Sequence, residues 1–226
     1  MKMSGKRVCS YLLVIGCLSL ATAPEIYSRS FSPVAAQLEF PTGRLPPGVD
    51  PVQAGQSLAA ELRSLVPVED SRFTGRLNIR EPGRVRTSVP VVVKTTVQGA
   101  QWQVVYETSG PGQVRERLTI AHAPGQPTVY WYAHGQQLDA PIRLTGDQAA
   151  MPFAGSDFWL LDLGLEFFHW PQQRLLKYEM RRGRSTRVLE SINPRPSPVG
   201  YARVVSWIDV ESGGLLMAEA YDAQGR

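Results

Sequence analysis

Few residues in this chain are of a type and spacing that does chemistry. Its 226 residues include three histidines, His122, His134 and His169, and two cysteines, Cys9 and Cys17. No two histidines share a motif, and HExxH, GxGxxG and P-loop patterns are absent from the sequence. Glu166-x-x-His169 has the spacing that di-iron bundles use, but those sites need a second copy of the motif and further helical glutamates. With one copy in a β-rich chain it reads as a polar seam on a buried helix. Gly155-Ser156-Asp157 lacks the second half of a nucleophile elbow, and Ser156 is better placed to cap a helix. Any two carboxylates can meet in space, yet no pattern singles out a pair. The expectation is a protein that is not an enzyme and needs neither metal nor cofactor.

Both cysteines lie near the N-terminus, so the body has no thiol and no disulfide. Lys2, Lys6 and Arg7 precede an apolar run that begins at Val8, which is the arrangement of a secretory signal peptide. Residues 1–36 are expected to be that signal, cut after Val34-Ala35-Ala36. Two other cuts compete: after Ala21-Thr22-Ala23, or before Cys17 in the lipobox-like Val14-Ile15-Gly16-Cys17, whose cysteine would be lipidated. The two main routes place the body in the periplasm, free after Ala36 or lipid-anchored through Cys17. The apolar run is too interrupted for a membrane span, and nothing later approaches the ~18 residues one needs.

Of the net charge of +4, residues 1–36 supply +3, and the remainder holds 20 basic against 19 acidic residues. That balance gives no footprint for nucleic acid. A hydrophobic fraction of 43% with 19% charged residues fits one globular domain.

Elements that could position a site follow from the residue pattern. Residues 37–49, with three prolines and two glycines, read as a linker. Asp50-Pro51 starts a helix running to about Leu65, with Leu58, Leu62 and Leu65 on one face. Period-two segments then dominate. Phe73, Gly75, Leu77 and Ile79 face one way, and Arg72, Thr74, Arg76, Asn78 and Arg80 the other. Strands follow at Val91–Val97, Trp102–Tyr106, Val114–Ile120 and Thr128–Ala133, joined by Gly/Pro turns, as an antiparallel, curved or barrel-like meander.

A helix is expected from Ser156 to His169, with Asp162, Glu166 and His169 on one polar face and apolar residues nearly everywhere else, so it must be buried. Gly164 in its middle either weakens a movable lid or allows close packing against a strand. Two hairpins, Gln173–Ile192 and Tyr201–Tyr221, complete the body. The sequence reads as truncated after the second hairpin. The aromatic residues, Trp102, Tyr106, Tyr130, Phe158, Trp159, Phe167 and Phe168 among them, either fill a solid core or enclose an apolar cavity. Periodicity alone leaves both open.

The chain resembles the outer-membrane lipoprotein-sorting family, the superfamily of LolA, LolB and RseB. The resemblance rests on Phe73-Thr74-Gly75-Arg76-Leu77 after the first helix and on Leu144-Thr145-Gly146 to Phe153-Ala154-Gly155-Ser156-Asp157-Phe158 with Asp162-Leu163. It continues in Val188-Leu189-Glu190-Ser191, Tyr201-x-Arg203-Val204-Val205-x-Trp207-Ile208-Asp209 and Ala220-Tyr221-Asp222-x-x-Gly225.

Over residues 50–226 it implies an α+β fold of mostly antiparallel strands. The strands would form a strongly curved, incomplete β-barrel with helices covering its concave face. The implied function is a periplasmic carrier or acceptor of lipoprotein acyl chains. Alternatives are a lipid or protein-tail sensor of the RseB kind, or a structural envelope module. The expected partners are acyl chains of lipoproteins or lipids and sorting proteins of the inner or outer membrane. No nucleic acid is expected, and the protein is expected to be a monomer. The candidate cavity residues are Phe73, Leu77, Ile79, Trp102, Val104, Tyr106, Leu118, Ile120, Tyr130, Phe158, Trp159, Leu163, Phe167, Phe168 and Trp207.

Overall fold

A computed structural model describes residues 43–79, 87–109, 114–198 and 200–225. The expected signal segment, its cleavage sites, Cys17 and most of the linker lie outside these residues.

The helix expected after Asp50 forms as α1, Pro51–Arg63, and ends two residues earlier than the leucine spacing suggested. The Asp50 carboxylate accepts from the backbone N–H groups of Val52 and Gln53, and Pro51 supplies a φ already suited to a first turn. The strands are β1 (Gly43–Arg44), β2 (Ser71–Ile79), β3 (Thr87–Gln98), β4 (Gln101–Thr108), β5 (Arg115–His122), β6 (Val129–Gly135) and β7 (Ile142–Leu144), then β8 (Gln172–Arg181), β9 (Arg184–Ile192), β10 (Arg203–Asp209) and β11 (Leu215–Tyr221). A short helix, α2 (Leu160–Leu163), lies between β7 and β8. The α+β class with antiparallel strands is therefore what the chain adopts.

Among the described residues the strands form two hydrogen-bonded sheets and no closed barrel. Strands β2 to β7 pair in sequence order as a six-stranded meander, and β1-β8-β9-β10-β11 form a second sheet. Alternation sorts the first sheet cleanly. Phe73 pairs with Val93, Val93 with Tyr106, Tyr106 with Leu118 and Leu118 with Tyr132, so these side chains share its inner face.

The helix α1 covers the second sheet. Leu58 and Ala59 pack with Leu175, Leu189, Val204 and Ile208, and Arg187 holds Glu61 through two hydrogen bonds of 2.8 and 2.9 Å. That guanidinium keeps the Glu61 carboxyl below its ordinary range, chiefly by hydrogen bonding. The approach of helix to strand is so close that a Cβ on Gly55 would lie 2.5 Å from the Arg174 Cα and backbone N. Glycine inside a helix normally destabilises it by roughly 1 kcal/mol relative to alanine. Here the contact reverses the sign, because backbone cannot swing aside. Gly55→Ala is expected to lower stability by about 1–3 kcal/mol in urea unfolding. A gain of stability would show that α1 does not seat this closely on β8.

Candidate functional site

The segment expected as one helix from Ser156 to His169 is built otherwise. Ser156 does not cap a helix; its hydroxyl donates to the Phe153 carbonyl (2.7 Å) and accepts from the Phe158 N–H, closing a turn. Helix α2 covers one turn only, begun by the buried Asp162 carboxylate accepting from the Trp159 N–H at 2.8 Å. Leu165 then adopts a left-handed conformation, φ 53°, and Glu166–His169 form a 3-10 turn. The reason is that its apolar side chains have two destinations. Phe153, Leu160 and Leu163 pack on the six-stranded sheet, with Tyr106, Leu118, Ile120 and Tyr130. Phe158, Leu165, Phe167, Phe168 and Trp170 pack on the five-stranded sheet and α1. The break at Gly164-Leu165 is where the chain changes sheets.

Both halves are pinned by hydrogen bonds. On the six-stranded sheet, the Tyr130 hydroxyl donates to Glu166 Oε2 at 3.0 Å, and Tyr106 reaches the Leu163 carbonyl at 3.5 Å. Glu116 Oε2 accepts from both the Tyr132 hydroxyl and the Ala154 N–H, each at 2.9 Å. On the other sheet, Gln173 Nε2 donates to the carbonyls of Phe167 and Trp170, and Arg63 Nη1 donates to that of Phe168. Burial pushes the Tyr106 hydroxyl up to about 12. Burial, reinforced by the Glu166 carboxylate, raises that of Tyr130 further, so these phenols stay protonated donors.

Gly164 has a packing role, since a Cβ there would sit 2.0 Å from the Tyr130 hydroxyl oxygen. Of the two readings the sequence left open, close packing on a strand is the one the structure contains. The polar seam is divided: Asp162 is buried, Glu166 bonds Tyr130, and His169 is exposed.

The register places nine of the expected cavity residues on one face. Phe73, Leu77, Ile79, Trp102, Val104, Tyr106, Leu118, Ile120 and Tyr130 all lie on the inner face of the six-stranded sheet. Leu163 meets that cluster from α2. Phe158, Phe167 and Phe168 instead belong to the core of the five-stranded sheet, and Trp159 stacks on Tyr201 with ring centroids 4.4 Å apart.

Trp207 is a correction. It pairs with Val188 and Met217 on the face of β10 opposite to Val204 and Ile208, beneath the Arg181 guanidinium at 5.0 Å. Both faces of β10 are apolar, so alternation could not say which one points inward. Residues the sequence reading passed over are Val91, Val93 and Val97, whose alternation with Phe73 and Leu77 was the available signal. Glu116 gave no signal, because its role depends on a partner 38 residues away.

Coverage of this inner face is uneven. Segment 151–170 covers it from β4 to β7, where Tyr106, Leu118, Ile120, Tyr130 and Leu144 are buried and Ile142, at the edge, is exposed. Toward β2 and β3 and the start of β4 the same apolar row is half-buried at Leu77, Val91, Val93, Val97, Trp102 and Val104, Phe73 is 39% exposed, and Val89 is buried. The result is an apolar trough continuous with the core. At one end Trp102 stacks on His122 with centroids 3.8 Å apart. A separate cleft of about 200 Å³, bordered by Leu161, Asp162, Glu166, Phe167, Trp170 and Tyr201, has a mixed polar and apolar lining and is below the size of ordinary ligand cavities. No cluster of three metal-ligating side chains occurs among the described residues.

Two outcomes follow. Gly164→Ala is expected to destabilise by about 1–3 kcal/mol in chemical unfolding, against the roughly 1 kcal/mol gain of an ordinary helical site. In a double-mutant cycle with Tyr130→Phe, which removes the clashing hydroxyl, the two losses should be less than additive. The second concerns pH. Burial, and to a lesser extent the charge of His169, pushes His122 from 6.5 down to about 4. The unfolded chain then binds the extra proton between these values, so stability is intact above 6.5 and is lost as pH falls toward 4. For a half-exposed ring the loss should lower Tm by roughly 2–4 °C, and His122→Gln should flatten that part of the profile.

Comparisons with known proteins bear on the fold. Among solved structures, a DUF1329 family protein from Desulfovibrio piger ATCC 29098 superposes with a TM-score of 0.63 at 19% identity, covering 79% of this chain and 76% of that one. A domain from Vibrio parahaemolyticus, described as an outer membrane lipoprotein-sorting protein, superposes with a TM-score of 0.58 at 20% identity, covering 76% and 74%. No curated protein sequence matches the chain. The model of a family described as "Uncharacterized protein" matches residues 104–226, from β4 through the second sheet. The chain belongs to that family, and it shares its fold with the two solved proteins.

Proposed function

We propose that the protein is a non-enzymatic carrier or acceptor of acyl chains in the bacterial envelope, working as a monomer that exchanges lipoprotein or lipid cargo with membrane partners. One observation carries the reading: the inner face of the six-stranded sheet is largely apolar from β2 to β7 but is covered by segment 151–170 only from Tyr106 of β4 onward, leaving most of β2, β3 and the Trp102 end of β4 half-buried. Uncovered, the β2–β4 trough exposes large apolar groups; occupied by an acyl chain, it becomes a continuation of the core. A chain of about 16 carbons gains on the order of 12 kcal/mol by leaving water, so a shallow, partly open trough binds it firmly while leaving a path for transfer. The likeness to a lipoprotein-sorting domain supports the same reading, and so does the exported character expected of residues 1–36.

The cargo would not displace Phe167 and Phe168, which sit with α1 in the other core. It would lie beside segment 151–170, which walls the trough. Titration with a fluorescent fatty acid, displaced by a diacylated lipopeptide, tests the proposal. Phe73→Glu and Val93→Glu are expected to weaken binding by about tenfold or more, while Thr74→Glu, on the opposite face of β2, should leave it unchanged. Saturation unaffected by Phe73→Glu and Val93→Glu would contradict the proposal.

A further inference from the structure

The outer face of the six-stranded sheet carries a charge distribution that the acyl trough does not explain. Alternation puts Arg72, Arg76, Lys94, Arg115, Arg117 and Arg143 on it, with Glu107 as its single strand carboxylate. Arg115 and Arg117 share Glu107, at 2.6 and 2.9 Å, and Arg76 donates to Ser88. Arg72, Lys94 and Arg143 make no ion pair with a described residue.

Arg72 and Lys94 stand directly opposite each other across β2 and β3. Like charges in that position destabilise a sheet, so the arrangement calls for an anionic counterpart from outside. The same transverse row runs through Val105 and Thr119 to Trp131, 38% exposed, and ends at Arg143. The row crosses six strands, about 24 Å.

We propose that this face docks the protein on an anionic phospholipid bilayer. Arg117 donates to the Leu138 carbonyl, where Ala133 and Leu138 are buried. The rest of this face is open and matches a plane of headgroups, where each exposed basic side chain gains electrostatically and an amphipathic indole settles at the interface. Sheets that read single-stranded nucleic acid stack bases on aromatic side chains. Here the outer faces of β2 to β5 carry none, which favours the bilayer. The inference comes from the opposite face to the trough and holds whether or not the trough takes lipid.

The test is co-sedimentation of the full chain with phosphatidylcholine vesicles, with and without phosphatidylglycerol at roughly one lipid in three. The basic, apolar leader is common to every variant and cancels in the comparison. The expected result is preference for the phosphatidylglycerol vesicles, weakening steeply toward about 0.5 M salt. Arg72→Gln/Lys94→Gln should lower the partition coefficient by about 30-fold. Arg143→Gln and Trp131→Ala, at the far end of the row, should each lower it several-fold. All four residues are exposed, and circular dichroism confirms that each variant is folded. Equal partitioning of the wild type and the double variant would overturn the proposal. So would oligonucleotide binding that the double variant abolishes while vesicle binding persists.

Discussion

Everything in this fold turns on one segment that cannot be left in water. Between Met151 and Trp170 apolar side chains point in nearly every direction, and no single sheet can cover them all. The structure resolves this by dividing the segment. Phe153, Leu160 and Leu163 go to one sheet, and Phe158, Phe167 and Phe168 to the other, with the left-handed Leu165 between them. An all-apolar segment would tolerate sliding between two greasy surfaces, because burial is not directional. Direction comes from hydrogen bonds. The Asp162 cap, the Tyr130–Glu166 bond and the Gln173 amide each fix one backbone or side-chain position. Buried polar groups of this kind are stabilising only while every partner is present.

The trough follows from that division. A segment that must serve two sheets is too short to cover six strands, and it reaches from β7 to Tyr106 on β4. The first helix is committed to the other sheet, held there by the Gly55 approach and the Glu61–Arg187 pair. Strands β2 and β3, with Trp102 and Val104 of β4, are therefore left with an apolar inner face that is mostly half-buried among the described residues. The site is thus a consequence of how the core is shared, and its residues need no motif.

This explains what the sequence could and could not disclose. Alternation in β2 to β5 was enough to put Phe73, Leu77, Trp102 and Tyr106 on one face, since each of these strands has one apolar and one mostly polar side. In β6 both sides are apolar, and Tyr130 is placed by its pairing with Ile120. It failed at β10, where Val204 and Val205 are both apolar and the inner face is decided by α1. It failed again at residues 156–169, where helical periodicity looked continuous because two half-segments buried against different sheets sum to an all-round apolar pattern. Gly164 was ambiguous for a related reason: its partner, the ring of Tyr130, lies 34 positions away and is invisible to local spacing. The Arg72–Lys94 apposition likewise depends on strand register, which a list of basic residues does not contain.

Hydrogen exchange with and without a diacylated lipopeptide addresses the central claim most directly, because it reads which strands the cargo covers. Occupation of the trough predicts added protection across β2, β3 and β4, with a smaller change at residues 156–164 and none in α1 or β8. Added protection confined to α1 and the five-stranded sheet, or an unchanged pattern at saturating lipopeptide, would contradict the assignment of the acyl chain to this face.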